Sequence, residues 1–135
     1  MTNGERADRL LEEAVAVGDE LRGALARGRW NLVVRRAQEI VEFVIKALLN
    51  EMSVEYPRTH DAVPLLVQAL ARRKIEVDRE FINWLSGFSS ELAEIRSPAF
   101  YHEIVVAESR AREAASGAER VLAFGHEFIV RLRRP

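Results

Sequence analysis

An excess of arginine and three histidines are the side chains with chemistry to offer in this sequence. Of the 20 basic residues, 18 are arginine, and only Lys46 and Lys74 are lysine. A guanidinium is a planar fork that fits phosphate and carboxylate and stays charged throughout the physiological range. Imidazole is the side-chain type that exchanges a proton near neutrality. His60, His102 and His126 are far apart, with no HExxH or His-x-His spacing, so no metal site is expected from them. Cysteine is absent, which excludes a disulfide scaffold, a thiol nucleophile and thiolate metal sites. The seven glycines are scattered, with neither GxGxxG nor a P-loop pattern, so a bound nucleotide would be held by side chains and helix ends.

Other residues have quieter readings. His60 beside Asp61 could form a dyad, but a loop histidine next to a helix-capping aspartate is the simpler reading. Glu42 and Lys46 have the favourable i,i+4 order of a helical ion pair, although Lys46 on a central helix could also face a cleft and bind phosphate. His126 reads as structural. Arg35-Arg36 and Arg72-Arg73-Lys74 read as solvated faces, of functional interest only if they share a groove with Arg96.

These residues have to be positioned by a small, nearly neutral chain. Its 135 residues are 48% apolar and 30% charged, which fits one globular domain over 1–135. Lys and Arg (20) almost balance Asp and Glu (21), for a net charge of −1. That balance argues against a protein that coats nucleic acid or a membrane surface, but not against a local phosphate site. The first residues are charged, unlike a signal peptide, and no apolar run approaches a membrane span. A soluble, cytoplasmic protein is expected.

Apolar residues recur at helical spacing almost throughout. A first helix is expected over about 5–27, with Gly28 as its stop. The second, about 30–52, is apolar around most of its circumference and should lie in the middle of a bundle. The stretch from Ser53 to Asp61 reads as a loop around Pro57. With Asp61 as N-cap and Pro64 in the first turn, a short third helix runs to about Lys74. Asp78 caps a fourth. Arg96-Ser97-Pro98 reads as a break, with Ser97 as N-cap and Pro98 at the first position of a fifth helix reaching about Arg133. The expected fold is all-α: an up-and-down, four-helix-type bundle with an extra short helix.

Several short stretches carry a more specific likeness: Trp30-Asn31, Arg36-Ala37-Gln38-Glu39, Val41-Glu42, Lys46-Ala47-Leu48-Leu49, Tyr56-Pro57, Thr59-His60-Asp61 before Leu65-Leu66, and Arg96-Ser97-Pro98-Ala99-Phe100-Tyr101. Together they make the chain resemble the HEPN domain family over about residues 5–130. The resemblance implies a helical bundle that forms a homodimer, from prokaryotic nucleotide or RNA biology. It further implies a nucleotide- or RNA-binding module paired with a minimal nucleotidyltransferase in a toxin–antitoxin-like system, with no cofactor. Some members are instead metal-independent endoribonucleases marked by an arginine, four to six residues and a histidine. Arg96 and His102, five residues between them, satisfy that spacing. Ser97-Pro98 stands where a polar Asn or Asp often follows the arginine, and Ile104 where a tyrosine is common.

On the ribonuclease reading, Arg96 would hold the phosphate, and His102 would act as base, with a second subunit's copy as acid across a dimer cleft. The amides behind the Ser97 cap would add a favourable dipole. On the binding reading, Arg96, Ser97, Lys46 and His60 are the phosphate contacts. A dimerisation module without ligand is the third reading. The competing account of Arg96 is a structural ion pair with Glu94 or Glu103.

Overall fold

The helical spacing becomes five helices in a computed structural model that describes residues 1–135: α1 (Asn3–Ala26), α2 (Trp30–Glu51), α3 (Val63–Arg72), α4 (Arg79–Phe100) and α5 (Glu108–Arg133). There is no strand. The apolar circumference of α2 places it at the centre, in contact with all four other helices. Val33, Val34, Ala37, Val44, Ala47, Leu48 and Leu49 are fully buried along it. No helix is long and apolar enough to cross a membrane.

Local chemistry sets most of the helix ends. Thr2 opens α1 with a capping box: its hydroxyl accepts from the Glu5 amide, and the Glu5 carboxylate accepts from the Thr2 amide. Asp78 caps α4 by accepting from the Glu80 amide. Asp61 lies one residue further out than expected. Ala62 occupies the cap position of α3, while the Asp61 carboxylate still accepts from the Val63 amide at 3.2 Å.

The first four helices all end in the same way. The amide two residues beyond the last turn's cap reaches back five positions: Arg29 to the Ala24 carbonyl, Val54 to Leu49, Ile75 to Leu70 and Glu103 to Pro98. This motif needs a left-handed residue, supplied by Gly28 after α1 but by Ser53, Lys74 and His102 after the others. Only the first is the residue that the motif prefers.

The main departure from the sequence reading is at Arg96-Ser97-Pro98. These residues do not begin a helix; they lie in the last two turns of α4, and Ser97 is not an N-cap. Pro98 costs α4 one hydrogen bond, to the Glu94 carbonyl, but the buried stripe of Leu92, Ile95 and Ala99 runs straight through it and holds the helical register. The break comes in the loop 101–107, and α5 begins only at Glu108. That loop is fastened from a distance by Asn31 at the start of α2. Its amide group donates to the carbonyls of Ala99 (3.1 Å) and Ile104 (2.9 Å), and its oxygen accepts from the Val106 amide (2.9 Å).

Helix α5 approaches its neighbours through small residues. A Cβ added at Gly125 would lie 2.5 Å from Val44 Cγ1, and one at Gly117 would lie 2.3 Å from Phe88 Cζ. Val44 is fully buried and cannot move, whereas Phe88 borders an open hollow and can turn aside. Gly125→Ala is therefore expected to cost about 1–3 kcal/mol, and Gly117→Ala less. Gly87, where an added Cβ meets nothing within 4 Å, should gain about 0.5–1 kcal/mol on change to Ala. Denaturant midpoints of the three variants check this order.

Candidate functional site

Helix α2 carries one polar stripe through its buried length: Asn31, Arg35, Gln38, Glu42 and Lys46, spaced three or four apart and so on one face. This stripe meets the last turns of α4 and the loop before α3. Its centre is the Glu42 carboxylate. One oxygen accepts from the Gln38 side-chain amide (2.9 Å) and is bonded to His60 Nδ1 (2.9 Å), and the other accepts from Lys46 Nζ (2.8 Å). Burial pushes the Glu42 carboxyl up, but the hydrogen bonds from Gln38, Lys46 and His60, with the charge of Lys46, overcome it and hold the group below the usual carboxylate range.

Gln38, only 1% exposed, passes this order on. Its Nε2 donates to Glu42 and to the His60 carbonyl (3.1 Å), so its Oε1 is the atom left for α4. There it accepts from Arg96 Nη1 at 3.1 Å. The donors and acceptors alternate from Lys46 through Glu42 and Gln38 to Arg96, which fixes the amide's orientation chemically. The loop is tied down at two more points. Tyr56 lies beneath the Lys46 ammonium, and its hydroxyl oxygen accepts from the Asn50 amide (2.7 Å). Asp61 accepts from the Ser89 hydroxyl of α4 (2.7 Å), which makes it a structural brace and not a partner of the His60 ring.

Arg96 makes no ion pair with Glu94 or Glu103; no carboxylate oxygen comes within 4.0 Å of its guanidinium. Arg35 has no such partner either, and it stacks on the Phe100 ring, 4.7 Å from the centroid. Partial burial pushes the Arg35 guanidinium down from its usual range, and the like charges of Arg36 and Arg96 add to this against the opposing pull of Glu39. Two cations without an ion-pair partner therefore lie close enough for their charges to interact. Beside them a cavity of about 280 Å³ is lined by His60, Ala93, Arg96, Ser97, Phe100 and Tyr101. Phe100 and Tyr101 are both exposed, edge to face with centroids 5.0 Å apart.

The residues singled out in the sequence thus fall into two groups. Arg96, Ser97 and His60 share the cavity, although Ser97 contributes no helix N-terminus because its own amide lies inside α4. Lys46 is held by Glu42. His102 is exposed at the left-handed position after α4, its Nδ1 3.5 Å from the Asn31 amide nitrogen, and it does not line the cavity. Arg35, read from sequence as part of a solvated face unless it shared a groove with Arg96, lies near Arg96, and Gln38 had no signal beyond its register with Glu42, visible only once the stripe is drawn on a helix. No three acidic or histidine side chains converge as a metal site would require.

A larger hollow, about 850 Å³, lies between α4 and α5. It contains none of these residues. Two of its cations are paired, Arg110 with Glu91 (3.0 Å) and Arg112 with Glu108 (2.8 Å), while Arg120 makes no ion pair and lies over Trp84. The smaller cavity differs in that its arginine, Arg96, is partly buried and held by a neutral amide oxygen.

A family model described as HEPN domain matches residues 7–128. No curated protein and no solved structure matches the chain.

The lowered Glu42 carboxyl implies a direction for acid sensitivity. Its stabilising contribution is complete above the unfolded value near 4.5 and is lost as the pH falls through the lower folded value. Glu42→Gln is therefore expected to be less stable than the parent at neutral pH and to lose less stability between pH 5 and about pH 3. Denaturant titrations at several pH values measure this. Parallel acid profiles of parent and variant would contradict it.

Proposed function

The chain belongs to the HEPN domain family, and on that premise we propose that it binds the phosphate of a nucleotide or RNA in the cleft between α2 and the end of α4. One observation carries this reading: Arg35 and Arg96, both partly buried, lie close enough for their charges to interact, and neither makes an ion pair with a carboxylate. An anion between two partly desolvated guanidiniums removes that repulsion and accepts charge-assisted hydrogen bonds. The exposed rings of Phe100 and Tyr101 add faces on which an unpaired base can stack, a common feature of single-strand recognition. The net charge of −1 restricts attraction to this locality. The proposed setting is a homodimer that works with a minimal nucleotidyltransferase in a toxin–antitoxin-like pair.

A second reading, metal-independent endoribonuclease, is favoured by the state of His102. Its ring is exposed and bonded to no carboxylate, six positions from Arg96 on the loop that Asn31 fixes.

Fluorescence anisotropy with a short single-stranded RNA tests the binding. Arg96→Ala and Arg35→Ala should each weaken it about 10- to 100-fold, the loss expected for one charged hydrogen-bonding contact. Each should also reduce the salt dependence by about one counterion. Unchanged affinity in both variants would remove the proposal. Cleavage in EDTA tests the second reading, which requires His102→Ala to abolish it.

A further inference from the structure

Helices α4 and α5 meet in the order Glu91 with Arg110, Phe88 with Gly117, Trp84 with Arg120 and Phe81 with Phe124, so they run antiparallel and the hollow of about 850 Å³ is a slot along them. Its α4 side, from Asn83 to Ile95, spans about 18 Å of helix. The base of the slot is apolar. Val34 of α2 is fully buried there, Leu92, Ile95 and Ala114 are nearly so, and the rings of Trp84 and Phe88, stacked 4.8 Å apart, stand beside them. The rim is polar and differs between its two ends. Its two carboxylates, Glu91 and Glu113, lie toward one end, where Glu91 pairs with Arg110. At the other end, about 10 Å further along α5, Arg120 lies over Trp84 and Phe81 (4.4 and 5.0 Å) with no carboxylate oxygen within 4.0 Å. Ser116, one turn before it, and Asn83 opposite are further hydrogen-bond donors bordering that end.

From this arrangement we infer that the hollow binds a free medium-chain aliphatic carboxylate, with its chain over Val34, Leu92 and Ile95 and its head group at Arg120. The length of the slot and its aliphatic base select a chain over a compact ligand. The donors at the Arg120 end, set apart from both carboxylates, select an anionic head over a cationic one. The carboxylate stays at the rim in contact with water, so little of its hydration is lost, and burial of the chain supplies most of the affinity. The Glu91–Arg110 pair that crosses the other end is exposed on both sides and opposes entry only weakly. The hollow shares no residue with the cavity beside Arg96, so this site stands or falls independently of the phosphate site.

The protein carries its own reporter: of its two tryptophans, Trp84 borders the hollow and Trp30 does not. Decanoate titrated into the full chain carrying Trp30→Phe should change the Trp84 emission saturably, and calorimetry on the unsubstituted protein should give the same affinity. From octanoate to dodecanoate each methylene should tighten binding up to about fourfold, and butyrate should not bind measurably. Arg120→Gln should weaken decanoate binding about three- to fivefold, the loss expected for a solvated charge pair. Arg9→Gln, which removes the same charge from an exposed position on α1, should leave it unchanged. Ala114→Leu, which places a larger side chain in the hollow, should weaken it about tenfold or more while the circular dichroism stays that of the parent. No saturable signal with decanoate or dodecanoate by either method overturns the inference. So does decyltrimethylammonium binding as tightly as decanoate, an equal loss in Arg120→Gln and Arg9→Gln, or an affinity that both Arg120→Gln and Ala114→Leu leave unchanged.

Discussion

A single carboxylate near the middle of the central helix constrains much of this molecule. Glu42 lies on a helix whose other faces are filled by Val, Ile, Leu and Ala, where an unpaired charge would be costly. Its oxygens are satisfied from two directions: Gln38 and Lys46 along its own helix, and His60 from the loop before α3. Satisfying it therefore fixes the course of that loop. Gln38, oriented by the same carboxylate, then reaches Arg96 and determines where the end of α4 presents its charge. The site follows from the need to partner a polar stripe that the most apolar helix carries.

Much of the fold was legible because it depends on local rules. Helical spacing identified all five helices, Asp78 and Gly28 marked real boundaries, and the apolar circumference of α2 placed it at the centre. The error at Ser97-Pro98 has a tertiary cause. A serine–proline pair favours a helix start in isolation, but the buried stripe through Leu92, Ile95 and Ala99 carries α4 past it. The true break has no glycine or proline to announce it. It is made by Asn31, some seventy residues away, through three hydrogen bonds to the loop and the end of α4.

The site was legible only in part, for a related reason. Arg96 and His60 were identifiable by type, and Glu42 with Lys46 by spacing. The bond between His60 and Glu42 spans the loop and could not be read from sequence, where Asp61 was the nearer partner. The arginine excess divides along similar lines. Several arginines pair with carboxylates on the surface, as Arg22 does with Asp19 and Glu119, and Arg133 with Asp8 and Glu51. Arg35 and Arg96 stand apart from these because they are partly buried and make no ion pair, and a near-neutral chain can still concentrate positive charge at one point.

The central claim is that this local charge receives a phosphate. Its most direct measurement is an NMR titration of the labelled full chain with uridine 3′-monophosphate, following the arginine Nε–H signals and the backbone amides. The account predicts saturable shifts at the Arg35 and Arg96 side chains and at the amides around His60 and Tyr101. Shifts confined to Arg110, Arg112 and Arg120 in the α4–α5 hollow, or no saturable shift at all, would contradict it.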